Sequence, residues 1–99
     1  MTNKSEMRSL PRRPFNKRVD FELKRVRPGF WESIDGRGGT VDISSRGLGL
    51  STDIPLAAGE ILKINLPGNL KGISIPVLSE VRWVHSEENR YRAGLQFLS

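Results

Sequence analysis

The sequence predicts an all-β fold, a small six-stranded antiparallel barrel preceded by a flexible basic N-terminal arm. Three observations point there. Val19-Asp20-Phe21-Glu22-Leu23-Lys24-Arg25-Val26 alternates apolar and charged residues, the two-residue period of a half-buried strand. Pro-Gly, Asp-Gly and Gly-Asn steps recur between short apolar runs, and no stretch carries the periodicity of an amphipathic helix. With 99 residues there is room for one core only. Closing short strands into a barrel buries one face and removes exposed edges.

Taken in order, residues 1–12 are polar and basic without periodicity and form the arm, leaving 13–99 as the barrel domain. Val19, Phe21 and Leu23 line one face of the first strand, which Pro28-Gly29 ends. Phe30 to Ile34 reads as a short second strand, followed by a tight turn at Asp35-Gly36. Thr40 to Ser44 enters a turn at Ser45-Arg46-Gly47, and Leu48 to Thr52 leaves it. Ile54 to Gly59 is a connection, and Glu60 to Leu66 alternates again. Ile73 to Val84 is long for one strand, and Pro76, which has no N–H, marks an edge position or a bulge within it. Tyr91 to Phe97 follows the polar turn at Ser86 to Asn89. The aromatic residues, Trp83 among them, fall mainly at core-like positions.

Charge is unevenly distributed. The net charge is +5, and Lys4, Arg8, Arg12, Arg13, Lys17, Arg18, Lys24, Arg25 and Arg27 all precede residue 28, opposed there by Glu6, Asp20 and Glu22. Such a block suits an anionic partner, and equally a solvated tail. There is no cysteine, hence no disulfide framework or thiolate metal site, and no metal is expected. No apolar run approaches the roughly 20 residues that span a bilayer, and the N-terminus has no apolar signal core. The expected location is the cytoplasm, with no membrane contact. Catalysis is not expected: the single histidine, His85, sits among Ser86, Glu87 and Glu88, and Asp42 and Ser44 have no histidine near them in sequence to form a relay. Gly36-Arg37-Gly38-Gly39 opens no helix and lacks the Gly-Lys-Ser/Thr ending of a phosphate loop. No exposed aromatic series for stacking bases is expected either, so nucleic acid is not the predicted partner.

The informative stretch is Asp42-Ile43-Ser44-Ser45-Arg46-Gly47-Leu48-Gly49-Leu50. Asp42 and Ser44 share a strand face. A carboxylate accepts two hydrogen bonds side by side, the complement of the guanine N1–H and N2–H₂ edge. Gly47 can supply the positive φ of a tight turn and let a ligand approach the backbone. A hairpin in which Asp42 and Ser44 tie down their own turn fits the same spacing. The second element is Arg12-Arg13-Pro14-Phe15-Asn16-Lys17-Arg18, just before the first strand. Guanidinium groups bond bidentately to phosphate and to the O6/N7 edge of guanine.

Together these elements resemble the PilZ family, small β-barrels that sense cyclic di-GMP. That family carries an Arg-x-x-x-Arg motif before the first strand and an Asp/Asn-x-Ser-x-x-Gly motif on the barrel. Asp42, Ser44 and Gly47 match the second, and Leu56-Ala57-Ala58-Gly59-Glu60, Val81-Arg82-Trp83 and Gly94-Leu95-Gln96-Phe97 also look like the family. The first motif departs from the pattern. Arg13 and Arg18 are separated by four residues instead of three, Arg13 and Lys17 have the right spacing but end in lysine, and Arg8 and Arg12 end six residues short of the strand. Arg18 directly precedes Val19, so Arg13 and Arg18 with one inserted residue is the preferred assignment. The resemblance implies a binding domain without a cofactor, whose ligand is cyclic di-GMP. Asp42 and Ser44 would meet a guanine base, Gly47 would form the turn beneath it, and Arg13 and Arg18 would hold phosphates and Hoogsteen edges. Arg12 would favour a stacked pair of ligands, and Lys17 and Arg46 complete the candidate set. It further implies ordering of the arginine arm on binding, with motility, biofilm or polysaccharide outputs through a downstream protein. The alternative is a protein-interaction module of the same fold that binds no nucleotide.

Overall fold

A computed structural model describes residues 13, 14, 16–68 and 72–98. Seven strands follow one another: β1 (Arg13–Pro14), β2 (Arg18–Arg27), β3 (Phe30–Ile43), β4 (Gly47–Thr52), β5 (Ile61–Pro67), β6 (Ser74–Glu87) and β7 (Arg90–Phe97). Among the described residues there is no helix. All pairings are antiparallel, and the order β3-β2-β5-β6-β7-β4 closes on itself because β4 also pairs with β3. The result is the six-stranded barrel, with the two-residue β1 laid against the end of β3. Residues 1–12 of the arm, Arg12 included, lie outside the described residues.

Alternation fills the interior as expected. Val19, Phe21 and Leu23 from β2, Leu48 and Leu50 from β4, Leu62 and Ile64 from β5, Val81 from β6, and Ala93 and Leu95 from β7 form one buried cluster, capped by Leu56. Leu23 and Leu62 are direct cross-strand partners, so the β2–β5 seam runs through the centre of this core. Thr52 is buried but satisfied: its hydroxyl donates to the Arg37 carbonyl (2.8 Å).

Three local expectations need correction. Phe30 to Ile43 is one strand of 14 residues, with no turn at Asp35-Gly36. Gly36 pairs with Phe21, and a Cβ on it would collide with the Ile54 methyl and the Phe21 ring. The missing side chain is interior space for an aromatic ring, not backbone freedom for a turn. Trp83 is not in the core: it is 50% exposed on the outer face. Phe30 and Trp31 are also on the surface, near the β2–β3 turn. Pro76 does sit where β6 has a neighbour on one side only. It pairs with Asn65 of β5, while pairing with β7 starts at Ser79. A residue without an N–H is tolerated on that locally open side.

Two β-bulges interrupt the alternation. In β3, Thr40 opposes Leu50 but Asp42 opposes Gly49, so Val41 is an extra residue. In β6, Val81 opposes Leu95 but Trp83 opposes Gly94, so Arg82 is extra. Each inserted residue flips every side chain beyond it to the other face. Before the first bulge Thr40 points inward; after it Ile43 packs against the core. Before the second, Ser79 and Val81 point inward; after it Val84 does.

Because Leu62 is fully buried at the centre of the barrel, Leu62→Ala is expected to lower unfolding stability by about 2–5 kcal/mol. Urea denaturation with an unchanged m-value checks this.

Candidate ligand-binding face

The bulges decide what the outer face carries. Without the β3 bulge, Asp42 would follow Gly36, Gly38 and Thr40 into the interior; with it, the carboxylate lies outside, over Gly49. Asp42 Oδ1 accepts a hydrogen bond from the Gly49 N–H at 3.0 Å. A Cβ on Gly49 would stand 2.9 Å from that oxygen. Gly49 pairs in turn with Gly94 of β7, and Gly94 with Trp83 of β6. The Trp83 ring occupies the space a Gly94 side chain would fill. Four strands thus contribute one continuous outer row: Asp42, Gly49, Gly94, Trp83. The two glycines have no side chains of their own, and the Asp42 carboxylate and the Trp83 ring lie over them from either end.

A second row runs beside it. Arg18 pairs with Gly39, Gly39 with Ser51, Ser51 with Arg92, and Arg92 with His85. Here the small residues in the middle are flanked by cations. Next to this row a groove of about 550 Å³ is lined by Lys17, Arg18, Arg37 and Arg90 together with Asp53 and Gly39. Arg37 pairs with Asp20 (3.2 Å) across an exposed surface, and Arg90 Nε donates to the Ser51 hydroxyl (3.1 Å). Between Arg46 and Trp83 lies a smaller recess of about 260 Å³, floored by Gly47 and Gly94. Cations therefore border the glycine strip on both sides.

The predicted site residues are placed as follows. Ser44 begins the β3–β4 turn. Its N–H donates to the Gly47 carbonyl (2.9 Å), and its hydroxyl accepts from the Arg46 N–H (3.2 Å). Asp42 and Ser44 thus both hold their own hairpin, as the plain-hairpin reading requires. A carboxylate oxygen has lone pairs for more than one donor, so this bond leaves chemistry for a ligand. The Arg46 carbonyl accepts from the Phe97 N–H (2.7 Å), which clips the turn to β7. Gly47 has no positive φ, contrary to expectation. It is needed because a Cβ there would run into the Leu95 carbonyl, so β4 and β7 touch backbone to backbone. Lys17 is pinned by its main chain: its N–H donates to the Thr40 hydroxyl (3.0 Å) and its carbonyl accepts from the Thr40 N–H (2.8 Å). Arg18 is exposed and starts β2 on the outer face, since Val19 points inward. The β1 backbone pairs Arg13 with Ile43 and Pro14 with Asp42, which places these two residues at the edge of the Asp42 strip.

Sequence reasoning missed Trp83, Gly49 and Gly94 as site residues, and Arg37, Arg90 and Arg92 as the cations around them. The signal for the first three was a pair of glycines at matching positions in two strands. It becomes visible only once the β4–β7 register is known.

Fold and face together define a small antiparallel β-barrel with an acidic, aromatic and basic outer surface. Among the described residues, no group of three or more His, Asp or Glu is placed to hold a metal ion. The PilZ domain model matches residues 8–99, and the chain belongs to the PilZ family. PilZ domains are cyclic di-GMP-binding adaptors, not enzymes. No curated protein matches the sequence significantly.

Two glycine substitutions separate scaffold from site. Gly47→Ala forces a backbone carbonyl to move and is expected to cost about 3 kcal/mol or more. Gly94→Ala meets only the movable Trp83 ring. It is expected to keep the fold but change Trp83 fluorescence, read in a Trp31→Phe background.

Proposed function

We propose that this protein is a cytoplasmic cyclic di-GMP receptor that works as an adaptor, binding the nucleotide on the outer face of the barrel. The observation carrying this reading is the outer row Asp42–Gly49–Gly94–Trp83, which combines a base-pairing carboxylate, two positions without side chains, and an indole. A purine is flat and has a polar edge. The carboxylate meets the guanine N1–H and N2–H₂, and the ring of Trp83, half-exposed over Gly94, offers a stacking surface.

The ligand's two phosphates need cations, and these flank the strip. Arg18 projects from the start of β2, and Arg46 lies beside the Trp83 recess. Arg12 ends the arm and Arg13 begins β1, which pairs with the strand end that carries Asp42; their proposed part in phosphate and Hoogsteen-edge binding follows from the family motif. Ser44 and Gly47 would act mainly by holding the turn that presents Asp42. Lys17, anchored through its main chain to Thr40, would contribute charge without a fixed geometry. Ordering of the arm over the ligand would then change the surface offered to a downstream protein, which responds only if its affinity differs between the two states. Motility, biofilm or polysaccharide production are outputs in keeping with such a receptor.

Calorimetric titration with cyclic di-GMP, with GTP and cyclic GMP as controls, tests this reading. Saturable, selective binding is expected. Its absence would leave a PilZ barrel that recognises proteins only. Asp42→Ala is expected to weaken binding by about 1–3 kcal/mol, and Trp83→Ala by a similar amount. A melting curve for each variant separates lost contacts from lost fold. Arg18→Ala is expected to weaken binding more than Lys17→Ala; the reverse order would show that the inserted residue of the arginine motif is misplaced.

A further inference from the structure

The β2–β3 hairpin runs well past the barrel. Its two strands stay paired from Arg18↔Gly39 to Arg27↔Phe30, but β5 accompanies β2 only as far as Lys24, and β4 accompanies β3 only from Gly38 onward. From Arg25 to Glu32 the chain is a two-stranded ribbon without a further strand on either side.

The end of the ribbon is apolar and exposed: Val26 is 84% accessible, Phe30 60% and Trp31 59%. Val26 and Trp31 are cross-strand partners and share one face; Phe30, beside Trp31 in sequence, occupies the other. Apolar side chains therefore cover both sides of the tip. Cations accompany them, Lys24 two residue pairs nearer the barrel than Val26 and Arg27 directly opposite Phe30 at the tip. Lys24 lies 4.3 Å above the Trp31 ring, and Arg27 makes an exposed ion pair with Glu32 (3.0 Å). The base is firmly held: Arg25 pairs with Glu60 (2.8 Å) and donates to the Pro55 carbonyl (3.0 Å).

From this geometry we infer that the β2–β3 tip is a membrane-docking element that inserts Val26, Phe30 and Trp31 into the interface of an anionic lipid bilayer. A protein surface covers one face of a ribbon. A tip that is apolar on both faces is buried fully only by surroundings that enclose it, as the headgroup–acyl boundary does. Aromatic residues partition to that depth, where an indole keeps contact with water. Lys24 then sits level with lipid phosphates, while Arg27, at the depth of Phe30, reaches back to them along its aliphatic stem, its exposed pair with Glu32 being weak enough to exchange for one. The chain's net charge of +5 acts in the same direction. Such peripheral contact needs no membrane-spanning segment, so the lack of an apolar run long enough to cross does not bear on it. The inference is independent of nucleotide binding: Trp31 and Asp42 are eleven residues apart on β3, roughly 35 Å at the usual strand rise.

Flotation of the full chain with phosphatidylcholine vesicles, with and without phosphatidylglycerol, is the test. The protein should float with the anionic vesicles, and brominated acyl chains should quench its fluorescence. In the Phe30→Ser/Trp31→Ser double variant, partitioning should drop at least about tenfold. Both positions are exposed, so melting temperature and cyclic di-GMP titration should match those of the parent protein. Failure to float with anionic vesicles would overturn the inference, as would undiminished flotation of the double variant, which would assign binding to charge elsewhere in the chain. A photo-crosslinker at position 30 that labels a protein in place of lipid would also overturn it, making the occupant a protein cleft.

Discussion

The candidate binding face depends on two inserted residues. A barrel strand must place alternate side chains inside, and this sequence uses that rule through most of its length. Val41 and Arg82 break it, one on each side of the β4–β7 pair. The first turns Asp42 out of an interior where an ionised carboxylate would be costly to bury without charged partners. The second turns out an indole that strict alternation would have placed in a core already filled by leucines. The two bulges act on strands that are not neighbours, yet they deliver their residues to the same outer row. The ladder is disrupted at each, and at the first the Asp42 side chain, accepting from the Gly49 N–H, provides a bond across the irregularity. The residue proposed to read the ligand is thus also the residue that repairs the strand.

Between the two walls the surface is kept low by glycine. Strand glycines ordinarily weaken a sheet, because they add flexibility and bury nothing. Here four of them have separate steric reasons. Gly36 makes room for the Phe21 ring, Gly47 for the Leu95 carbonyl, Gly49 for the Asp42 carboxylate and Gly94 for Trp83. Two of these reasons concern closure of the barrel and two concern its outer face. A small barrel with about one core residue in every second strand position has little stability to spare, so keeping these glycines to β3, β4 and β7 confines the loss to one side. The β2–β5 seam opposite, carrying Phe21, Leu23, Leu62 and Ile64, has no glycine at all.

This division explains what could be read in advance. The strands at Val19 to Val26, Glu60 to Leu66 and Tyr91 to Phe97 were legible because alternation runs through most of each, and closure followed from their number and brevity. The Asp42–Gly47 motif was legible as a hairpin with a polar face. Gly36 misled because a glycine after aspartate signals a turn equally well when its purpose is to accommodate a ring from another strand. Trp83 misled because an inserted residue has no local signature: Arg82 looks like any outward charge, and only its partner strand shows that the count is one too many. Long-range register, not residue type, was the missing information. The exposure of Phe30 and Trp31 had the same origin, since alternation shows that residues share a face but not that the neighbouring strands stop short of it.

The ligand face and the apolar tip are opposite ends of one hairpin, with Arg18 and Asp42 near its root and Val26 and Trp31 at its turn. Ten consecutive paired residues, further fixed by Arg25 on Glu60, hold that hairpin as one element. A ligand shifts a conformational equilibrium only where two states exist and it prefers one of them. The short ladder is β1, joined to β3 by two residue pairs, Arg13↔Ile43 and Pro14↔Asp42. Its pairing covers the strand end that presents Asp42, and few bonds have to break to release it. Nucleotide bound as proposed on the Asp42 strip would lie beside this ladder and far from the distal tip. Under the two proposals, the hairpin tip would fix where the protein sits, and the β1 ladder would be the part of the barrel that bound nucleotide touches.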